Sequence, residues 1–215
     1  DRLTMREEII GDCRLILGDC REAIASFPAC FQPQAIVTDP PYPDFLADEF
    51  GFDQSTIVSV LAYPCQQFVF WSAKAEFPLD WSAVHIWDKT GAGNIASYER
   101  IFERNGGKTY RVFRGNCISN PTMARFAKDQ WVDHPTQKPA SLMAELVSEV
   151  SGAVFDPFMG SGTTGVACVN VGRAFLGVER AQKYFDIACR RIDAAYKQPR
   201  LFAEPQVKPI QEVLI

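Results

Sequence analysis

Residues 153–165, A-V-F-D-P-F-M-G-S-G-T-T-G, constrain the fold of this chain more than any other stretch. An apolar, strand-like run gives out at Asp156, a glycine-rich turn follows, and a helical pattern opens at Gly162. A β–turn–α unit of this kind belongs to sheets whose strands are joined through helices, because parallel strands need a crossover. The glycines let a ligand approach the backbone, and the first N–H groups of the helix are free to meet an anion. Gly160, Gly162 and Gly165 satisfy G-x-G-x-x-G. Glu179 closes the next strand-like run, near the spacing of an acid that takes ribose hydroxyls. A nucleoside-bearing cofactor is therefore expected. A Walker phosphate loop is excluded at this turn, which carries no Gly-Lys-Ser/Thr. A dinucleotide dehydrogenase stays open, although the motif falls in the last third of the chain and leaves little room for a full pair of mononucleotide-binding halves after it.

The same alternation runs through most of the sequence. Strand-like segments at 14–18, 35–38, 68–72, 83–87, 108–114, 153–156 and 174–179 are interleaved with helix-like ones at 19–27, 54–66, 139–150, 162–171 and 180–197. Pro139 is expected at the first helical position of its segment. The pattern predicts one α/β domain with a mostly parallel, twisted sheet. Residues 105–133 break it. They begin Asn-Gly-Gly, mix charges with aromatics and show no long apolar period, as expected of a loop-rich insertion where recognition surfaces often sit. The tail 198–215, with Pro199, Pro205 and Pro209, is expected to wrap the surface.

Charge is unevenly spread. The net charge of −4 argues against a general polyanion binder, yet residues 100–128 hold seven bases against the single acid Glu103. The reading as a local nucleic-acid footprint and the reading as a solvated charge run stand level on charge alone. Seven cysteines without a C-x-x-C, and two distant histidines, His85 and His134, give no zinc spacing, so reduced thiols and no metal are expected. No apolar run approaches the roughly 20 residues of a membrane span, and no secretory signal is legible. Met5 is a candidate natural start.

A second stretch, T-D-P-P-Y at 38–42, follows the apolar run 35–37. Two adjacent prolines lack N–H donors and fix φ, so they end the strand and hold Asp39 and Tyr42 on a stiff turn. Together with D-P-F-M-G-S-G-T-T at 156–164, H-P-T-Q-K-P at 134–139 and I-L-G-D-C at 16–20, this turn resembles the S-adenosylmethionine-dependent DNA amino-methyltransferases of the β group. The resemblance spans roughly residues 14–195. It implies a Rossmann-like methyltransferase fold with helices on both faces of the sheet, in circularly permuted motif order. Residues 1–215 would form one catalytic domain, and 105–133 its target-recognition region.

The chemistry explains the residue types. An exocyclic amino nitrogen is a poor nucleophile because its lone pair is delocalised into the ring. An acceptor on its N–H favours a pyramidal nitrogen with the lone pair aimed at the methyl group. Asp39 offers that acceptor, and the resemblance adds the Pro40 carbonyl. Pro40 and Pro41 preorganise the turn, and Tyr42 would stack on the extruded base. For the cofactor, the resemblance implies Asp156, Phe158, Gly160, Ser161 and Gly162 in the glycine loop, and Thr163, His134, Thr136 and Lys138 at the methionine carboxylate. Glu179 would take the ribose hydroxyls and Asp19 the adenine amino edge. Asp19 also reads as a helix N-cap. Trp87-Asp88-Lys89 and Tyr98-Glu99 are similar to positions near the family's active-site wall, though such aromatic residues are usually core. Lys108, Arg111 and Arg114 are candidates for DNA contact. The resemblance implies double-stranded DNA as partner, leaves a homodimer open, and implies the bacterial cytoplasm, or a phage protein within it. Cytosine-N4 members tend to carry serine before the two prolines, so Asp39 favours N6-adenine. N4-cytosine methylation, a non-catalytic DNA- and cofactor-binding subunit, and an RNA or protein methyltransferase remain the alternatives.

Overall fold

A computed structural model describes residues 5–44, 53–89, 98–114 and 137–198. Nine strands and five helices are described. The strands are β1 (Arg6–Ile10), β2 (Cys13–Leu17), β3 (Ala35–Thr38), β4 (Gln66–Trp71), β5 (Ala83–Asp88), β6 (Tyr98–Arg104), β7 (Val112–Arg114), β8 (Val154–Asp156) and β9 (Phe175–Glu179). The helices are α1 (Cys20–Ser26), α2 (Gln54–Val60), α3 (Ala140–Glu149), α4 (Thr163–Val171) and α5 (Gln182–Lys197).

The strands form one sheet in the order β1-β2-β9-β8-β3-β4-β6-β5-β7. The run β2-β9-β8-β3-β4 is parallel throughout. β6 lies antiparallel to both β4 and β5, and β1 lies antiparallel to β2. From β3 the chain moves outward to β4, whereas from β8 it moves the other way to β9. The boundary between β3 and β8 is thus the switch point, where open α/β sheets bind ligands beyond the carboxyl ends of their strands. Successive residues of β8 show the helices covering both faces. Phe155 meets the rings of Phe27 and Phe31, just past α1, while the carboxylate of Asp156 meets Thr164 of α4.

Local chemistry sets the boundaries. Asp19 and Asp53 cap α1 and α2, each accepting from the N–H two residues on. Gly172, at φ 72°, ends α4 with the N–H groups of Gly172 and Arg173 returning to carbonyls of its last turn. The helix expected over 54–66 stops at Val60, because Pro64 disfavours helical geometry at Tyr63. The strand expected over 108–114 is confined to Val112–Arg114. β1 and β6 were not expected. Their sequences, R-E-E-I-I and Y-E-R-I-F-E-R, interleave charge with apolar residues and hide the two-residue period. Pro139 sits at the cap of α3, one residue before the expected place. Of the tail expected to wrap the surface, 198–215, residues 199–215 lie outside the described residues. No helix among the described residues is long and apolar enough to cross a membrane.

Candidate active site

A cleft of about 370 Å³ opens at the switch point. The turn after β3 supplies Asp39, Pro40, Pro41 and Tyr42. Asp156 comes from the end of β8, Phe158, Gly160 and Ser161 from the turn after it, Thr163 from the start of α4, and Glu179 from β9. Asp19, Arg21, Lys138 and Tyr184 complete much of the wall. Sequence positions far apart are joined directly: Thr38 Oγ1 donates to Asp156 Oδ1 at 2.6 Å across 118 residues.

The glycine turn is locked from three sides. Asp156 also accepts from Thr164 Oγ1 at 2.6 Å and from the Phe158 N–H at 3.1 Å. Burial pushes its carboxyl up to about 6, against the pull of the two hydroxyls. Glu179 accepts from the Gly160 N–H at 2.9 Å and from the Ala181 N–H at 2.7 Å, and burial raises its carboxyl as well. Arg191, buried on α5, donates to the carbonyl of Ser161 at 2.7 Å and to the hydroxyls of Ser161 and Thr163. Gly162 has φ 80°, and a Cβ there would lie 2.7 Å from Ala188 Cβ, so only glycine fits where the loop passes α5.

The turn after β3 is built on ion pairs. Lys138 Nζ lies 2.5 Å from Asp39 Oδ2 and 3.2 Å from Glu99, and Lys89 pairs with Glu99 from the other side. Tyr42 Oη donates to Asp39 Oδ1 at 2.5 Å, and its ring packs 5.8 Å from Trp71 while still lining the cleft. Burial raises the Asp39 carboxyl; Lys138 opposes this and Glu99 adds to it. Burial also works to raise Glu99, but the two lysines outweigh it and hold that carboxyl below its usual range.

Most of the expected site residues meet in this one cleft. Asp19 lines it while capping α1 and holding Arg21. Lys138, expected at the methionine carboxylate, is committed to Asp39 and Glu99. His134 and Thr136 lie outside the described residues. Of the expected DNA contacts, Lys108 and Arg114 are exposed, while Arg111 pairs with Glu149 at 2.6 Å. Arg100 and Arg104, counted in the basic region, are structural. Arg100 donates to the carbonyls of Ser72 and Ala75, and Arg104 to those of Asp80 and Leu61. Arg125 and Lys128 lie outside the described residues. Sequence reading missed Arg191, yet its signal was present: it lies on the apolar stripe Phe185, Ala188, Ile192, Ala195 of α5, where an arginine must have buried partners.

The DNA methylase family profile matches residues 62–190. The chain belongs to this family. DNA methylases similar to it include the DNA adenine methyltransferase YhdJ of Escherichia coli K12, 39% identical over 84 residues, or 38% of this chain and 28% of that protein. The type II methyltransferase M2.DpnII of Streptococcus pneumoniae is 33% identical over 108 residues, 48% of this chain and 38% of that protein. The matches thus span about a third of those relatives' length. Among solved structures, the M1.HpyAVI–SAM complex superposes with a TM-score of 0.58 at 24% identity, covering 84% of this chain and 99% of that one. That likeness bears out the Rossmann-like methyltransferase fold expected from the sequence.

Proposed function

We propose that this DNA methylase transfers a methyl group from S-adenosylmethionine to the N6 amino group of an adenine extruded from double-stranded DNA. The observation that carries the reading is the shared cleft, in which the rigid acceptor turn of Asp39 and the glycine turn with Glu179 face the same space across β3 and β8. The Escherichia coli relative is named a DNA adenine methyltransferase, and M1.HpyAVI was solved as a complex with SAM.

The residues suit the cofactor. The cleft is of a size for a nucleoside-bearing ligand. Glu179 keeps lone pairs for ribose hydroxyls after its two backbone bonds. The N-terminus of α4 at Thr163 offers N–H groups to a carboxylate. When bound, S-adenosylmethionine supplies an electrophilic methyl group on sulfur. The chain's own work is orientation. Asp39 accepts one N–H of the target amino group, and the Pro40 carbonyl accepts the other. Tyr42 turns a ring face to the extruded base. Lys108 and Arg114 contact phosphates. Residues 1–215 act as one catalytic domain in the bacterial cytoplasm, with 105–133 selecting the target sequence.

The test is transfer of labelled methyl from S-adenosylmethionine to unmethylated genomic DNA, followed by nucleoside digestion and mass spectrometry. N6-methyladenine is the expected product. N4-methylcytosine would keep the mechanism and correct the base. No methylated nucleoside, with cofactor bound, would overturn the reading.

A further inference from the structure

Asp39 stands in a nearly sealed group of two carboxylates, two ammonium groups and a phenol. Lys138 lies between the carboxylates of Asp39 and Glu99, and Lys89 balances Glu99 from its far side. The rings of Tyr42, Phe70 and Trp87 stand 5.1–5.9 Å from the Lys138 ammonium and keep water from it. The lysine side chains are 6% exposed and Glu99 13%, whereas Asp39, at 21%, is the most open of the four. Two cations and two anions cancel, which burial of this depth requires.

The balance is not symmetrical. Glu99 touches both lysines, while Asp39 has Lys138 for its cation. Five charged or titratable groups bear on Asp39. Tyr42 donates to it from its own turn. Lys138 pairs with it from the segment before α3. Glu99 of β6 opposes its charge. Lys89, at the end of β5, acts through Glu99. Asp156 of β8 is a like charge on the neighbouring strand. Lys138 therefore favours the ionised form of Asp39 and Glu99 disfavours it.

We propose that Lys138 and Glu99 are positioning residues that act on Asp39 with opposite sign and together set the pH above which its carboxylate can hold the target amino group. This deepens the methyl-transfer reading and rests on it for its consequence. The electrostatic arrangement itself can be measured without DNA or cofactor. Removing the Lys138 charge leaves Asp39 beside a like charge, so it keeps its proton to higher pH. Removing the Glu99 charge commits Lys138 to Asp39, which then ionises at lower pH and becomes a weaker acceptor.

The experiment is a carbon-13 NMR titration of the full chain labelled at aspartate carboxyls, with the Asp39 signal assigned by its loss in Asp39→Asn. The Asp39 midpoint is expected to rise by about one to three pH units in Lys138→Met and to fall in Glu99→Gln. Lys138→Arg, which keeps the charge, is expected to stay near the starting midpoint. Midpoints that do not move, or that move the same way in Lys138→Met and Glu99→Gln, overturn the proposal. If Lys138→Met does not fold, Lys89→Met serves instead. It removes a cation that does not touch Asp39 and is expected to raise the midpoint through Glu99; an unmoved midpoint counts against the proposal. Single-turnover methyl transfer against pH then gives the functional readout. Its acid limb is expected to follow the NMR midpoint in each variant, and a limb that stays fixed overturns the positioning role. Midpoints that move as expected in a protein that methylates no DNA would sink the DNA reading and leave the electrostatic assignment standing.

Discussion

Asp39 and Asp156 follow and end neighbouring strands, yet their surroundings give them different work. Asp39 opens on the cleft, and Asp39→Ala is expected to lower the single-turnover rate by about 10²–10⁴-fold. Cofactor affinity should change little, as read by titration with S-adenosylhomocysteine, because the glycine turn does not depend on that carboxylate. Asp156 is sealed, and its carboxyl is pushed up to about 6 from an ordinary 3.8. A carboxyl raised on folding stabilises the fold fully below its unfolded value and loses that contribution as pH rises through its folded one. Wild-type stability is therefore expected to fall by about 2 kcal/mol relative to Asp156→Asn between pH 4 and pH 7, read from denaturant melts. The site was legible in the sequence where its residues are contiguous, as at 39–42 and 156–164. The bond of Thr38 to Asp156 and the pairing of Lys138 with Asp39 were not. Those partners lie 118 and 99 residues apart, and no local period records such a contact.

At the scale of elements, the glycine loop shows how closely packing and ligand geometry are tied. Gly162→Ala places a methyl group against Ala188 at positive φ. It is expected to destabilise the protein by about 2–4 kcal/mol and to weaken cofactor binding, measurable by thermal melts and calorimetry. The unit β8–turn–α4 was readable because one apolar run, one glycine turn and one helix follow without interruption. β1 and β6 were not readable for a physical reason. β1 is an edge strand that faces solvent with charge, and β6 buries Ile101, Phe102 and Glu103 in succession rather than in alternation. Glu103 is tolerated there because Gln66, His85 and the Gly107 N–H all meet its carboxylate. That cluster anchors the start of the segment proposed to select the target.

Across the whole molecule, the described cations of the basic region are of two kinds. Arg100, Arg104 and Arg111 are held by carbonyls or by Glu149, while Lys108 and Arg114 face solvent. Lys108→Met and Arg114→Met are each expected to reduce the salt dependence of DNA binding by about one counterion. Arg104→Met should leave that slope unchanged and lower the melting temperature instead. Charge counting along the sequence could not separate the two, since a bonded arginine and a solvent-exposed one read alike. The sheet order has one more implication, in the timing of synthesis. β3, which leads into Asp39, lies between β4 and β8, and β2 lies between β1 and β9, so each of these early strands receives its second neighbour from the last part of the chain. Long-range pairing of this kind forms slowly and late. A nascent chain halted near residue 150 would already carry the acceptor turn but have no wall to set against it. Ribosome-held chains are therefore expected to transfer no methyl group until Glu179 has emerged, which a transfer assay on stalled chains of increasing length would check.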